Sequence, residues 1–299
     1  MERKTLIRKF WSRKEFLSIK NKQYNSFLIS FINKKIKEDI KKGDLTTNAI
    51  IKNEKITAYI IAKQPGIIAG IEEISFFLKK NSINCKPLKK DGQKVKNKDI
   101  IIKIYGNARK ILNYERTILN ILQRMSGIAT YSYNLSQKVN CQIAGTRKTL
   151  FDLLDKKAIS VGNCLTHRLN LNDFVMIKDN HLKILNNNIE KALKLANKSK
   201  TKFIEIEVKN KKEALKAANF ISSLKTNKLF AIMFDNMNPR EIKEPIIKIK
   251  KINKKILFEV SGNMNEANIK KFSKTGTDII SLGSLTHSVK AFDLSLRIG

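Results

Sequence analysis

Ten arginines and three histidines stand out in a sequence whose other cations are all lysines. Arg offers a planar fork matched to carboxylate and phosphate, whereas Lys is a point charge. An Arg kept against such a Lys-rich background marks a place where the fork is needed. Five of the ten lie between Arg109 and Arg168. Along the second half of the chain, candidate groups fall in three sets. Arg147, Lys148, His167, Arg168 and Lys178 come first, and together they can neutralise a dicarboxylate or a pyrophosphate. Glu207 and Asp235 follow, two carboxylates that can hold Mg²⁺ together with waters and phosphate oxygens. Ser261-Gly262 and Gly283-Ser284 come last, small-residue loops whose backbone N–H groups can cradle a phosphate monoester.

These residues need elements that bring them together. From about residue 140 onward, short apolar runs recur at 142–148, 174–180, 203–208, 229–236, 256–261 and 278–283. Helical segments such as 189–198, 211–223 and 265–273 separate them. This alternation predicts parallel strands joined by crossovers, closed into a barrel or an incomplete one. The polar candidates sit at one end of each run: Arg147 and Lys148, Lys178 with Asp179 and Asn180, Glu207, Asp235 with Asn236, Glu259 with Ser261, and Gly283. In parallel barrels the C-terminal strand ends face the active site, and the loops after the last strands form the usual phosphate site. Taken singly, the Thr146–Thr149 string reads equally well as a solvated loop, His167-Arg168 as a structural pair, and Glu205 and Glu207 as exposed edge charges. Their joint position at strand ends favours a site. Ahead of the barrel, residues 14–42 read as one or two amphipathic helices ending at Gly43-Asp44. Strand-like stretches follow at 56–63 and 99–104, with a Gly-rich turn after the first and a polar loop before the second. A helix over 109–125 carries Glu115 and Arg116.

Composition sets the outer bounds. The 299 residues, 42% of them hydrophobic, suffice for a large barrel with a smaller companion domain. Cys85, Cys141 and Cys164 are odd in number and far apart, so they suggest neither a disulfide framework nor a metal site, and a reducing cytoplasm fits them. The N-terminus lacks the apolar core of a signal peptide, and no apolar run is long enough to span a bilayer. The net charge of +34 comes from lysines scattered over the whole chain, without one basic stripe or interleaved aromatics. That distribution reads as compositional drift toward Lys, Ile and Asn, so no specific nucleic-acid partner is expected.

A series of ordered strings resembles the quinolinate phosphoribosyltransferase family, also called nicotinate-nucleotide pyrophosphorylase (carboxylating). They begin with Glu38-Asp39, Gly43-Asp44-Leu45-Thr46-Thr47, Gly66-Ile67-Ile68-Ala69-Gly70 and Glu115-Arg116. Ser126-Gly127-Ile128-Ala129-Thr130, Thr146-Arg147-Lys148-Thr149, His167-Arg168-Leu169 and Lys178-Asp179-Asn180-His181 follow. Glu205-Ile206-Glu207-Val208, Phe234-Asp235-Asn236-Met237, Glu259-Val260-Ser261-Gly262 and Gly283 through His287 complete them. The resemblance implies an N-terminal α/β sandwich domain over 1–117, to which the tail 289–299 returns, and an incomplete α/β barrel over 118–288. It implies phosphoribosyl transfer from phosphoribosyl pyrophosphate to quinolinate with decarboxylation, in a homodimer or higher homo-oligomer. Arg147, His167, Arg168, Lys178 and a partner's Arg116 are expected to hold quinolinate, and Lys148 to meet the phosphoribosyl group. Glu207 and Asp235 are expected to bind ribose hydroxyls and Mg²⁺–pyrophosphate, partly through water. Ser261, Gly262, Asn263, Gly283 and His287 are expected to hold the 5′-phosphate. Among these, Lys148, Lys178, Glu207 and Asp235 are the expected catalytic set.

The chain departs from the family pattern between residues 150 and 164 and at residue 263. After Thr149 the usual Pro-Gly-Leu-Arg turn is replaced by Leu150-Phe151-Asp152-Leu153-Leu154, which removes an Arg. A Gly triplet before His167 has become Gly162-Asn163-Cys164, and Asn263 stands for a Gly. Asn tolerates positive φ better than most residues. A related barrel transferase for another anionic ring, a molybdenum-associated relative, or a copy with reduced activity are the alternatives these changes raise.

Overall fold

A computed structural model of the chain describes residues 2–299. Its elements begin with α1 (Arg3–Trp11), α2 (Lys22–Ile40), α3 (Leu45–Ile50), β1 (Lys55–Ala62), β2 (Gly66–Ile67) and α4 (Ile71–Lys80). They continue with β3 (Asn84–Pro87), β4 (Lys94–Val95), β5 (Ile100–Asn107), α5 (Ala108–Ser136), β6 (Gln142–Ala144), α6 (Leu153–Val161) and β7 (Val175–Ile177). Next come α7 (Asp179–Ile184), α8 (Ile189–Asn197), β8 (Phe203–Val208), α9 (Lys211–Ser223) and β9 (Leu229–Asp235). The chain finishes with α10 (Pro239–Ile252), β10 (Leu257–Ser261), α11 (Ile269–Ser273), β11 (Ile279–Ser281), α12 (Ser284–His287) and β12 (Leu294–Ile298). They fall into two units. One comprises the N-terminal segment through Arg13, Leu135–Lys148 and Cys164–His287; the other comprises Lys14–Asn134, Thr149–Asn163 and Ser288–Gly299.

The first unit is the incomplete barrel. Its six strands run in the order β6-β11-β10-β9-β8-β7, every pair parallel. Leu165 adds a parallel bridge on the free side of β6, so the ladder is open only between that segment and β7. Side chains alternate along a strand, and partners in register face the same way. Met176, Glu205, Ala231 and Leu257 therefore form one inward layer. Glu207, Met233, Glu259 and Ile279 form the next, and Asp235 with Ser261 lies beyond it. Leu6, Ile7, Phe10 and Trp11 share one face of α1. Phe10 and Trp11 are fully buried in a cluster with Ala144, Phe174, Ala231, Leu257 and Ile279. The guanidinium of Arg3 ties the start of this helix to Asp278 with two bonds of 2.6 Å.

The second unit holds the antiparallel sheet β12-β1-β5-β3 and the two-stranded β2-β4 ribbon. Asp44 caps α3 by accepting from the Thr47 N–H and hydroxyl. The long α5 reaches well past the 109–125 expected, and its Ser126 and Thr130 hydroxyls accept from the Ala69 and Ile67 N–H groups.

This division redraws the expected boundaries. Residues through Arg13 belong with the barrel, because the aromatic face of α1 is buried inside it. Residues 118–134 and 149–163 belong with the sandwich unit, where α5 packs and the shortened loop is anchored. The tail forms β12 against β1. The 265–273 helix shrinks to α11, since Asn265 and Asn268 spend their side chains on turn N–H groups.

Candidate active site

The C-terminal ends of the barrel strands surround one cavity of about 1240 Å³. Arg147, Lys148, His167, Arg168, Lys178, Glu207, Asp235, Ser261, Gly262, Asn263, Gly283 and His287 all line it. Twelve candidates scattered over more than a hundred residues of chain thus meet at one mouth, as the register of the parallel strands requires. Arg116 does not line this cavity. It lies on α5 in the other unit, lining a separate space of about 350 Å³ with Lys35, Glu38, Asp39 and Phe151.

The cations are held close and under strain. Burial, and then the charge of Arg147, lower the affinity of the Arg168 guanidinium for its proton. An arginine stays charged regardless, so the pair is a preformed place for an anion that relieves their repulsion. Lys178 reaches Glu207 Oε1 at 3.2 Å, and both side chains line the cavity. Asp235, one strand over, accepts from the Asn236 amide at 2.8 Å.

The small-residue loops are shaped by backbone need. Gly262 has φ +91°, and a Cβ there would stand 2.3 Å from Asn236 Oδ1. Asn236 and Asn263 both adopt positive φ, at 53° and 50°, and the Asn263 amide donates to Asn236 Oδ1. The Gly-to-Asn departure at 263 therefore falls on a left-handed position that Asn accommodates. Asn163 does the same at φ 63°. Gly162 is different: its φ is −78°, but a Cβ would come within 2.4 Å of the Ala129 carbonyl oxygen. At Gly283 the close neighbours of a Cβ would be His287 and Lys148, and the Thr286 hydroxyl bonds to the Lys148 carbonyl.

Two readings change. Glu205 is not an edge charge but fully buried, and burial followed by the nearby Glu259 raises its pKa well above the usual carboxylate range. His167 lines the cavity, yet both ring nitrogens are engaged inside the protein. Nδ1 accepts the Arg168 N–H at 2.9 Å, which leaves Nε2 as the protonated nitrogen donating to Glu259 at 2.9 Å. The cavity also includes Met176, Asp179, Lys209, Asn236 and Asn265, which were not named as site residues. Asp179 and Asn236 carried the strand-end signal; Lys209, in a lysine-rich chain, carried none.

Glu207 and Asp235 form a two-carboxylate set. The clusters of three or more ligand side chains among the described residues, His167-Glu205-Glu259 and Glu72-Glu73-Asp91, lie elsewhere. Two carboxylates in an open, polar cavity suit an ion that keeps waters and takes phosphate oxygens, as Mg²⁺ does.

A parallel barrel with cations, two carboxylates and two tight loops at its strand ends is an enzyme built for small, multiply anionic substrates. Comparison with known proteins narrows that class. The family described as quinolinate phosphoribosyl transferase, C-terminal domain, matches residues 128–297, and the N-terminal domain of the same family matches residues 44–126. A probable nicotinate-nucleotide pyrophosphorylase [carboxylating] of Methanocaldococcus jannaschii is 40% identical over 286 residues, covering 91% of this chain and 97% of that relative. A Bacillus subtilis protein of the same description is 35% identical, covering 87% and 90%. The solved nicotinate-nucleotide pyrophosphorylase from Francisella tularensis is 33% identical with a TM-score of 0.78, covering 92% and 97%. The chain belongs to the quinolinate phosphoribosyltransferase family. Among the described residues, no helix is long and apolar enough to cross a membrane.

Proposed function

We propose that this barrel transfers the phosphoribosyl group of phosphoribosyl pyrophosphate to quinolinate, giving nicotinate mononucleotide, pyrophosphate and CO₂. The observation that carries the reading is the single cavity in which Arg147, Lys148, Arg168 and Lys178 face Glu207, Asp235 and the loops at Ser261–Asn263 and Gly283–Ser284. Arg147 and Arg168 grip the two carboxylates of quinolinate by forked hydrogen bonds and fix the ring's angle. The two loops hold the 5′-phosphate, with His287 beside it. Glu207 and Asp235 bind ribose hydroxyls and would hold Mg²⁺, an ion that would supply positive charge beside the pyrophosphate group. The pyridine nitrogen then bonds to the anomeric carbon as the carbon–oxygen bond to pyrophosphate breaks, through an oxocarbenium-like state. The ring nitrogen is now positive, so the bond to the adjacent carboxylate carbon can break. Its electron pair remains on the ring carbon, CO₂ leaves, and a proton is taken up there. No protein nucleophile is needed; positioning and electrostatics lower the barrier. In this reading the assembly is a dimer in which a partner subunit supplies Arg116 to the cavity. Cys85, Cys141 and Cys164 form no disulfide among the described residues, which fits a reducing cytoplasm.

The test is incubation of the purified chain with quinolinate, phosphoribosyl pyrophosphate and Mg²⁺, following CO₂ and mononucleotide. Equimolar release of both is expected. Absence of both, or nicotinate turned over in preference to quinolinate, overturns the reading.

A further inference from the structure

A polar ring that the proposed chemistry does not use runs from the barrel core up to the cavity wall, where His167 and Glu259 line the cavity. It starts at Trp11, the sole tryptophan of the chain, at the end of α1. The Trp11 indole N–H donates to Glu205 Oε1 at 3.3 Å, and the Trp11 carbonyl accepts the His167 N–H at 2.7 Å. Glu205 Oε2 lies 3.7 Å from His167 Nε2, which itself donates to Glu259. The ring closes on Arg168, whose N–H is held by His167 Nδ1. Trp11 and Glu205 are fully buried, Glu259 likewise, and His167 is 5% exposed. Just beyond α1, the Arg13 N–H donates to the Thr166 hydroxyl, so the segment after the helix holds the residue before His167 as well.

His167 sits at φ +57°, a left-handed conformation uncommon for residues other than glycine, though His enters it more readily than most. Strain of this sort persists only where surrounding bonds over-determine it. Here those bonds are the backbone clamp from Trp11 and the ring clamp from Glu259. Reversal of the chain at His167 is what turns Arg168 into the cavity. Burying two carboxyl groups to hold one imidazole gives no evident stability, since a buried polar group is favourable only when its bonds are made. The arrangement makes sense as a device that fixes geometry.

We propose that Trp11, Glu205 and Glu259 are positioning residues for Arg168, making the N-terminal helix a working part of the catalytic barrel. Glu259 fixes the tautomer and plane of His167, and His167 fixes the place of the Arg168 backbone. Trp11 holds both Glu205 and the strained turn. The effect is on the aromatic diacid, because Arg168 grips it, and not on the phosphoribosyl donor. This inference rests on the function proposed above.

The experiment compares Glu259→Leu, Glu259→Gln and Trp11→Phe by steady-state kinetics with each substrate varied. Glu259→Leu should raise KM for quinolinate about tenfold or more while leaving KM for phosphoribosyl pyrophosphate within about twofold. Glu259→Gln should recover most of that loss, because its amide oxygen can accept the same Nε2–H. Trp11→Phe keeps an aromatic ring in the core but loses the N–H and part of the indole's volume, so a smaller rise of a few-fold, with some loss of stability, is expected. A binding readout separates this idea from the functional one. The single indole ¹⁵N–H resonance of Trp11 should move saturably with quinolinate, whether or not turnover is seen. Glu259→Gln should keep that response. The proposal is overturned if the quinolinate KM is unchanged in Glu259→Leu or in Trp11→Phe, or if both KM values rise as the melting temperature falls, with no rescue by Gln. It is equally overturned if the indole resonance ignores saturating quinolinate. Loss of activity with the resonance shift intact would count against the transferase reading and leave the positioning one standing.

Discussion

Replacing Asp155 with Ala should destabilise the sandwich unit severely, because this carboxylate serves four donors at once. It is fully buried, and it pairs with Arg124 through two bonds of 2.7 Å. Its Oδ2 also accepts the Leu150 N–H at 2.8 Å and the Phe151 N–H at 3.2 Å. The loop after Thr149 is held by this acceptor. The Arg124 guanidinium is 14% exposed and stacks over Phe151 at 5.0 Å. Removing the carboxylate leaves that charge in a poorly solvated place, which costs about 3–5 kcal/mol. Two backbone N–H groups also lose their acceptor, at roughly 1–3 kcal/mol each where water cannot reach them. At about 2–4 °C per kcal/mol for a cooperative unit of this size, the melting temperature should drop by roughly 10 °C or more. Thermal and urea unfolding of Asp155→Ala, Arg124→Leu and the double variant measure the coupling directly. The double variant should recover part of the loss, since the charge is gone, but not the part due to the loop N–H groups. A single-variant loss below about 1 kcal/mol, or a coupling energy near zero, would refute the anchoring argument.

Three other outcomes are expected. Glu73 is pushed up to about 7, by burial first and then by Asp91, against the opposing influence of Lys157 and Tyr24. Its folded-state pKa is raised, so stability is highest in acid and falls as pH rises from about 4.5 to about 7, by up to ~3 kcal/mol. Glu73→Gln should flatten that slope, and urea midpoints at pH 5 and pH 8 that fall equally in both proteins would show the assignment to be mistaken. Gly162→Ala should cost about 1–3 kcal/mol by overpacking against Ala129. Asn163→Ala should cost about 1 kcal/mol through its positive φ, with Asn163→Gly near neutral; denaturation curves in the opposite order would contradict this. Arg168→Lys keeps the charge but loses the fork, and should raise the quinolinate KM by an order of magnitude or more. An unchanged KM there would remove Arg168 from diacid recognition.

Much of the barrel was legible because its signals are local. Apolar runs of strand length, with polar residues at one end, mark β6 to β11 directly, and all six runs appear as strands. Period-two alternation also places Glu207 and Asp235 on the inner face, since Glu207 aligns with Met233 and Asp235 with Ser261. Even the Gly-to-Asn departures were readable as backbone questions, and two of them proved to lie at positive φ. The first helix was not legible. Leu6, Ile7, Phe10 and Trp11 have helical spacing, but nothing local says that a helix so near the start will be buried in a barrel whose first strand begins at Gln142.

By itself, then, the sequence determined the strand–helix rhythm, the polar strand ends and the residue types available at the mouth. Only the tertiary structure decided which carboxylates are solvated and which are buried. Glu205 and Glu207 are two residues apart on one strand and face the same way. One lines an open cavity beside Lys178; the other is sealed beneath it by Trp11, 194 residues away in the chain. Periodicity is written by near neighbours, whereas the cost of burying a charge depends on partners that only the folded chain brings within reach.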